Sequence, residues 1–407
     1  MADQLSYKFV GYNRFHNWIK TPAIDWFARK STVFTQAYCS SPLCIPSRQS
    51  LYTGRNTRHH GCICDYRVLS KPTMFQHLSE MGVKSYGVGK LDFRFDDDQN
   101  HGLSDRPNSE LGAQDVFPGT NNFSSFVPGR MVTTLDRDND EQCCLITGTT
   151  LDCLSKNESS LIFTSYMKPH ESWDNGLWWD APQRFWDIYG DIPNALRGYA
   201  ANVSLLDEHI GYAVGQAMER GLLDDTLVIF ASDHGELAGE HGRWGKQCMH
   251  EEAIRVPMLM FYKGMRPITC HSVVGLIDIF PTIFDWLGLP CPQTDGASLL
   301  KERPVDYHVF IEVFWGKFVD NAYCNFQHEP MSPKECASNL KRCIRRDNWK
   351  YVDNGSSKEL FHVTARNSKP IASKTPRLLS RFRSEMGTCY PASNIIPQGP
   401  LHDKAFN

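Results

Sequence analysis

Short apolar runs that stop abruptly at polar residues alternate along the first three quarters of the chain with segments of helical spacing. The clearest runs are 84–90, 161–167, 227–231 and 257–262. In the last three, apolar side chains fall on consecutive rather than alternate positions, as in parallel strands covered on both faces. The second run leads into Lys168-Pro169-His170 and the third into Ser232-Asp233-His234. Between 196 and 218, apolar side chains recur at Leu196, Tyr199, Val203, Leu206, Ile210, Val214 and Ala217, which is a helical period. Segments 72–81 and 276–287 also read as helices. The alternation predicts an α/β fold with a mostly parallel central sheet flanked by helices. Ligands of such sheets gather beyond the carboxyl ends of the strands. Lys90, His170, Asp233 and His234 fall there.

The texture changes after Leu300. Val309–Phe314, 343–352 and 359–362 read as short strands between polar loops, which predicts a small C-terminal antiparallel unit. The expected organisation is an α/β domain over 1–300, an antiparallel subdomain over 301–364 and a weakly patterned tail over 365–407. That tail is basic and rich in Ser and Pro.

Composition narrows the class. The chain has 407 residues, 41% apolar and 22% charged, as in a soluble globular protein. A net charge of -3 gives no electrostatic case for nucleic acid or an anionic membrane. No apolar run reaches the ~18 residues of a membrane span. Fourteen cysteines and four Asn-x-Ser sequons, at Asn122, Asn157, Asn202 and Asn354, point toward a secretory history. Met1 to Leu5 carries neither the basic nor the apolar part of a signal peptide.

The most informative stretch is Cys44-Ile45-Pro46-Ser47-Arg48, followed in register by Thr53-Gly54-Arg55. It resembles the sulfatase signature C-x-P-S-R-x-x-x-x-T-G-R. Asp233-His234-Gly235-Glu236, then Gly239-Glu240-His241-Gly242, Lys246 and Glu251 to Pro257 are similar to a second block of that family. The resemblance implies an alkaline-phosphatase-like α/β sandwich. It also implies that Cys44 is oxidised by a formylglycine-generating enzyme to an aldehyde, whose hydrate attacks sulfur and then expels sulfate. By the same resemblance Asp3, Gln4 (through a carbonyl oxygen), Asp233, His234 and the modified Cys44 surround one divalent ion, calcium. Carboxylate oxygens suit a hard cation. Arg48, Lys90 and Lys246 would neutralise the sulfate, with His234 beside it. His170 in Pro169-His170 would protonate the leaving alcohol.

Gly89-Lys90-Leu91-Asp92 departs from the family's commoner Gly-Lys-Trp-His. It places Asp92 where a histidine usually stands, and matches an arylsulfatase K-like branch. That branch implies a sulfated carbohydrate substrate, such as a glycosaminoglycan uronate 2-sulfate, and a lysosomal or secreted location. Phosphonate monoester or phosphodiester hydrolysis on the same scaffold is the nearest alternative. A catalytically dead metal- or glycan-binding relative is the other. In the family an apolar strand precedes the position of Asp3, and the reading expects such a strand ahead of Met1. Two features are open between two roles. Asp96-Asp97-Asp98 is a solvated loop or a ligand set. Trp173, Trp178 and Trp179 pack internally or stack on a sugar. His59-His60 is read as structural.

Overall fold

The computed structural model describes residues 1–64, 71–93, 100–109, 141–156, 158–171, 179–314, 317–319, 322–324, 339–355, 357–364, 368–370, 380–384 and 386. Asp96 to Asp98, Trp173, Trp178, Asn122 and Asn157 lie outside the described residues.

In chain order the larger unit contains α1 (Pro22–Ala28), β1 (Thr32–Tyr38), α2 (Cys44–Thr53), α3 (Thr57–His60), α4 (Met74–Glu80) and β2 (Lys84–Gly89). Next come α5 (Glu141–Leu154), β3 (Ser160–Ser165), α6 (Gln183–Asp187), α7 (Asn194–Glu219) and β4 (Val228–Ala231). It closes with α8 (Glu251–Ile254), β5 (Arg255–Val256), β6 (Met258–Phe261), β7 (Thr269–Gly275) and α9 (Ile279–Trp286).

The apolar runs become strands because both of their faces are covered. In β3, Leu161 and Phe163 join one core cluster, and Ile162 joins the other. In β6, Met258 and Met260 face the first cluster and Leu259 the second. Helix α7 packs with α1, α5 and α6 on the second side, and α2 with α4 and α9 on the first. At ~1.5–3 kcal/mol per fully buried aliphatic or aromatic side chain, this two-sided burial is the main stabilising contribution.

Strands β2 and β3 are parallel. Residues 1–3 continue that direction through parallel bridges of Ala2 to Ser232 and Asp3 to Pro169. β4 pairs antiparallel with β6, β5 and β6 run antiparallel to β1, and β1 is parallel to β7. The sheet is therefore mostly parallel, with β5–β6 as its reversed member. That reversed member is the run at 257–262, since period alone carries no direction. β1 and β7 were not resolved by the pattern.

Below Met1, between β3 and β4, lies a cleft of about 230 Å³ lined by Leu161, Phe163, Leu227, Ile229 and Ile279 among others. Among the described residues no strand pairs with the facing edges of β3 and β4 there.

The smaller unit comprises β8 (Val309–Phe314), β9 (Lys317–Val319), β10 (Ala322–Cys324), β11 (Leu340–Arg346), β12 (Trp349–Asp353), β13 (Lys358–Val363) and β14 (Ser368–Pro370). Its antiparallel sheet has the order β14-β13-β12-β11-β8. The reading of 343–352 as one strand is corrected: Asp347, with φ 47°, turns the chain between β11 and β12. The sheet is fastened to the larger unit by buried polar contacts. Arg345 donates to Gln36 Oε1 at 2.7 Å, and its guanidinium lies 4.7 Å from the Tyr38 ring centre. Lys350 Nζ stands 3.1 Å from Glu251 Oε1, whose partner oxygen accepts the Tyr38 hydroxyl at 2.8 Å.

Candidate active site

Cys44 is the first residue of α2, so the signature places it at a helix amino terminus. That end carries unpaired N–H groups and favours negative charge. The rest of the signature holds this end in place. Ser47 Oγ donates to the Asp233 backbone carbonyl at 2.6 Å. Gly54 ends α2 at φ 63°, and a Cβ there would meet Phe280 at 2.6 Å, so glycine is required twice over. Arg55 lies 3.3 Å from Asp295, which also holds His59; His60 meets Ser50 Oγ at 2.8 Å. Thr53 to His60 is thus structural.

The carboxyl ends of the strands supply the other groups. Arg48 is fully buried. It donates to Asp233 Oδ2 at 2.9 Å, Asp3 Oδ2 at 3.1 Å, Ser165 Oγ at 2.8 Å and the Lys90 carbonyl at 2.7 Å. Lys90 Nζ lies 2.5 Å from Asp3 Oδ2 and 3.3 Å from Asp92 Oδ2. Asp92 is therefore a buried charge partner of Lys90 and Arg48. Among the described residues its other oxygen has no hydrogen-bond partner.

Lys246 Nζ donates to Cys44 Sγ at 3.1 Å and to Gln4 Oε1 at 2.5 Å. Cys44 Sγ lies 3.2 Å from His234 Nε2 and 3.8 Å from Asp3 Oδ1. The thiol stands here for the oxygens that a hydrated formylglycine would present. Asp3, Cys44, Asp233 and His234 each bring a donor atom within 4.8 Å of the others. Two carboxylates plus an imidazole fit a divalent ion, and conversion of the thiol to oxygen would make the set harder. His234 Nδ1 faces the Gly235 carbonyl at 3.0 Å, which leaves Nε2 as the lone-pair nitrogen toward the cluster. Gly235 packs so tightly that a Cβ would come 1.9 Å from the Glu252 carbonyl oxygen.

Gln4 lies at the edge of this cluster. Its backbone carbonyl accepts the Tyr199 hydroxyl at 2.7 Å and its Oε1 accepts Lys246. Its Nε2 donates to Glu171 Oε2 at 2.6 Å and Glu236 Oε2 at 2.7 Å. Through Oε1, Gln4 orients Lys246 at the edge of the cluster. The sequence assigns no role to Glu171, which follows Pro169-His170, or to Glu236, which ends Asp233-His234-Gly235-Glu236. Glu236 Oε1 also accepts the backbone N–H groups of Ala238 and Gly245, fixing the loop that carries Lys246. Trp179 is buried against Tyr199 and Trp244, so it belongs to the core.

Electrostatics separate the charged from the neutral groups. Burial opposes the Asp3 carboxylate, but Lys90, His170 and Arg48 together hold it well below the usual range. Burial also opposes the ammonium of Lys90, but Asp3 and Asp92 keep it protonated. Lys246 is likewise held above its ordinary value by Cys44, Asp3 and Glu171. Burial and the Asp3 charge push the Cys44 thiol well up, so it is not a thiolate at neutral pH. Burial, then Lys246, lowers His170 to about 4, and burial lowers His234 to about 4. His170 Nδ1 lies 2.9 Å from the Glu171 carbonyl.

A mostly parallel α/β sheet flanked by helices, with a small antiparallel sheet at its C-terminus, is an alkaline-phosphatase-like architecture. The sulfatase family profile matches residues 1–289, and the chain belongs to the sulfatase family, a group of sulfuric ester hydrolases. It is 27% identical to choline-sulfatase of Rhizobium meliloti (strain 1021) over 365 residues, covering 74% of this chain and 70% of that protein. It is 26% identical to human arylsulfatase K over 333 residues, covering 69% of this chain and 61% of the relative. The phosphonate monoester hydrolase SpPMH from Silicibacter pomeroyi has the same fold, with a TM-score of 0.72 at 18% identity over 96% of this chain and 94% of that one.

Proposed function

We propose that the protein hydrolyses sulfate esters with formylglycine at position 44, residues 1–300 forming the catalytic domain. The observation that carries this reading is the junction of Cys44 with Lys246, His234 and Asp3 inside a buried cluster. A protonated, buried thiol is a poor nucleophile, whereas a hydrated aldehyde there would have two oxygens among these groups. Asp3, Asp233 and His234 would hold calcium, which when bound polarises sulfate and the nucleophile's oxygen. Arg48 and Lys90 are locked by Asp3, Asp233 and Asp92, so their positive charge needs no reorganisation when a sulfate enters. Lys246 is aimed by Gln4 at the atom that attacks. His170 is neutral in the free protein; an anionic ester beside it raises its proton affinity and readies it to protonate the leaving oxygen.

The substrate class we assign is a sulfated carbohydrate, with a uronate 2-sulfate as the first compound to assay, after the arylsulfatase K relative. We also assign a lysosomal or secreted location, as the resemblance to the arylsulfatase K-like branch implies. Asn202, one of the sequons, is fully buried in α7 and offers no glycosylation site in the folded protein.

A second reading of the leaving group comes from Glu171, a carboxylate beside Lys246 and His170. It suits a neutral or cationic alcohol better than a uronate, and choline-sulfatase is among the relatives. Sulfate release from a uronate 2-sulfate disaccharide, from choline sulfate and from an aryl phosphonate monoester separates these readings. Turnover of the phosphonate alone would overturn the sulfatase assignment.

A further inference from the structure

Beyond the site of Cys44, a second group of potential ligands lies on the outer side of the loop that carries Lys246. His241 sits in a turn closed by backbone hydrogen bonds from Gly239 to Arg243 and from Leu237 to Gly245. His250 immediately precedes α8, and Glu252 lies within it. We propose that His241, His250 and Glu252 form a second metal site, which takes a borderline divalent ion, zinc first, and fastens the Lys246 loop to α8.

The geometry supports this directly. His241 Nε2 is 3.2 Å from Glu252 Oε2, and the two imidazole rings stack with centres 3.9 Å apart and planes 20° apart. One donor atom of each residue lies within 4.8 Å of the other two. Zinc bonds of ~2.0–2.1 Å in a tetrahedron put ligand atoms about 3.3 Å apart, so the two rings would turn out of their stack for both lone pairs to meet one ion. The ring nitrogens of His250 make no hydrogen bond among the described residues.

The donor chemistry selects the ion. Two imidazoles and one carboxylate suit zinc, copper or nickel and are poor ligands for calcium. Glu252 divides its oxygens: Oε1 is 2.6 Å from Lys8 Nζ, and Oε2 faces His241. Lys8 is also held by Glu240 at 2.9 Å, so the carboxylates there offset its charge. His241 is exposed, so solvent would reach a fourth position on the ion.

A consequence reaches the first site without sharing its atoms. His241 is five residues before Lys246, and α8 touches the Asp233-His234-Gly235 turn through the Gly235 N–H to Ala253 carbonyl bond of 2.9 Å. Metal across His241 and Glu252 would close this loop as a cross-link closes it, with a gain in thermal stability.

The test is zinc titration by calorimetry on calcium-saturated protein carrying Cys44→Ala, which removes the thiol donor of the first cluster. The expected result is one zinc equivalent, with an association constant at least tenfold lower when His250→Phe is added. Phe keeps the ring stack and removes both nitrogens. An unchanged isotherm in the His250→Phe protein overturns the proposal. Cobalt bound to the protein with His250 intact gives a second readout. Visible bands of a four-coordinate ion, with two histidine rings paramagnetically shifted, support the site. The weak bands of a six-coordinate ion contradict it.

Discussion

Lys246 Nζ stands 3.1 Å from Cys44 Sγ and 2.5 Å from Gln4 Oε1, so one ammonium joins three segments far apart in sequence. Its neighbours keep it protonated despite burial. Lys90 has the same character through Asp3 and Asp92. Removing either takes a preorganised positive charge from the place where negative charge grows. Lys246→Ala and Lys90→Ala are expected to lower kcat by about a hundredfold or more. Steady-state kinetics on a sulfate ester checks this. A change in KM with kcat intact would make both lysines binding residues only.

Asp3 and Asp233 share Arg48 and lie on either side of the cluster with Cys44 and His234. Asp3→Asn and Asp233→Asn each remove one unit of negative charge from the proposed calcium ligands. Each is expected to weaken calcium binding by tenfold or more and nearly to abolish turnover. Calcium titration beside sulfate release tests both halves. Full activity after exhaustive chelation would remove the ion from the mechanism.

His170 provides a pH test. Its folded value of about 4 lies below the ordinary 6.5, because burial and Lys246 disfavour the cation. The unfolded chain therefore binds more protons between these values, so stability rises with pH across that window and is lost as pH falls from about 6.5 to 4. At about 1.4 kcal/mol per pKa unit the loss from this group is about 3 kcal/mol. His170→Gln is expected to show a smaller drop in Tm between pH 7.5 and 4.5 than the unaltered protein. Equal drops would mean that His170 is charged in the folded state or titrates normally.

The site was legible where chemistry and strand ends coincide. Lys90, His170, Asp233 and His234 follow apolar runs, and the structure brings them around Cys44. What the sequence left hidden depends on direction or on contacts between distant segments. The reversed β5–β6 has the same apolar run as a parallel strand. The turn at Asp347 uses an aspartate in a left-handed conformation, where glycine or asparagine would have marked it. Glu171 and Glu236 meet Gln4 across 167 and 232 residues, a relation that no local period encodes. Asp92 stood out as a departure from a motif, but only its distances to Lys90 and Arg48 give it a role as their counter-charge.

The central claim is that residue 44 works as an aldehyde hydrate. Mass analysis of the tryptic peptide 31–48, from protein co-expressed with a formylglycine-generating enzyme and alkylated, tests it most directly. This peptide contains both Cys39 and Cys44, so Cys39 is an internal control. The account predicts one alkylated cysteine, at Cys39. At position 44 it predicts a residue with oxygen in place of sulfur and two hydrogens fewer. Two alkylated cysteines throughout an active preparation would contradict it.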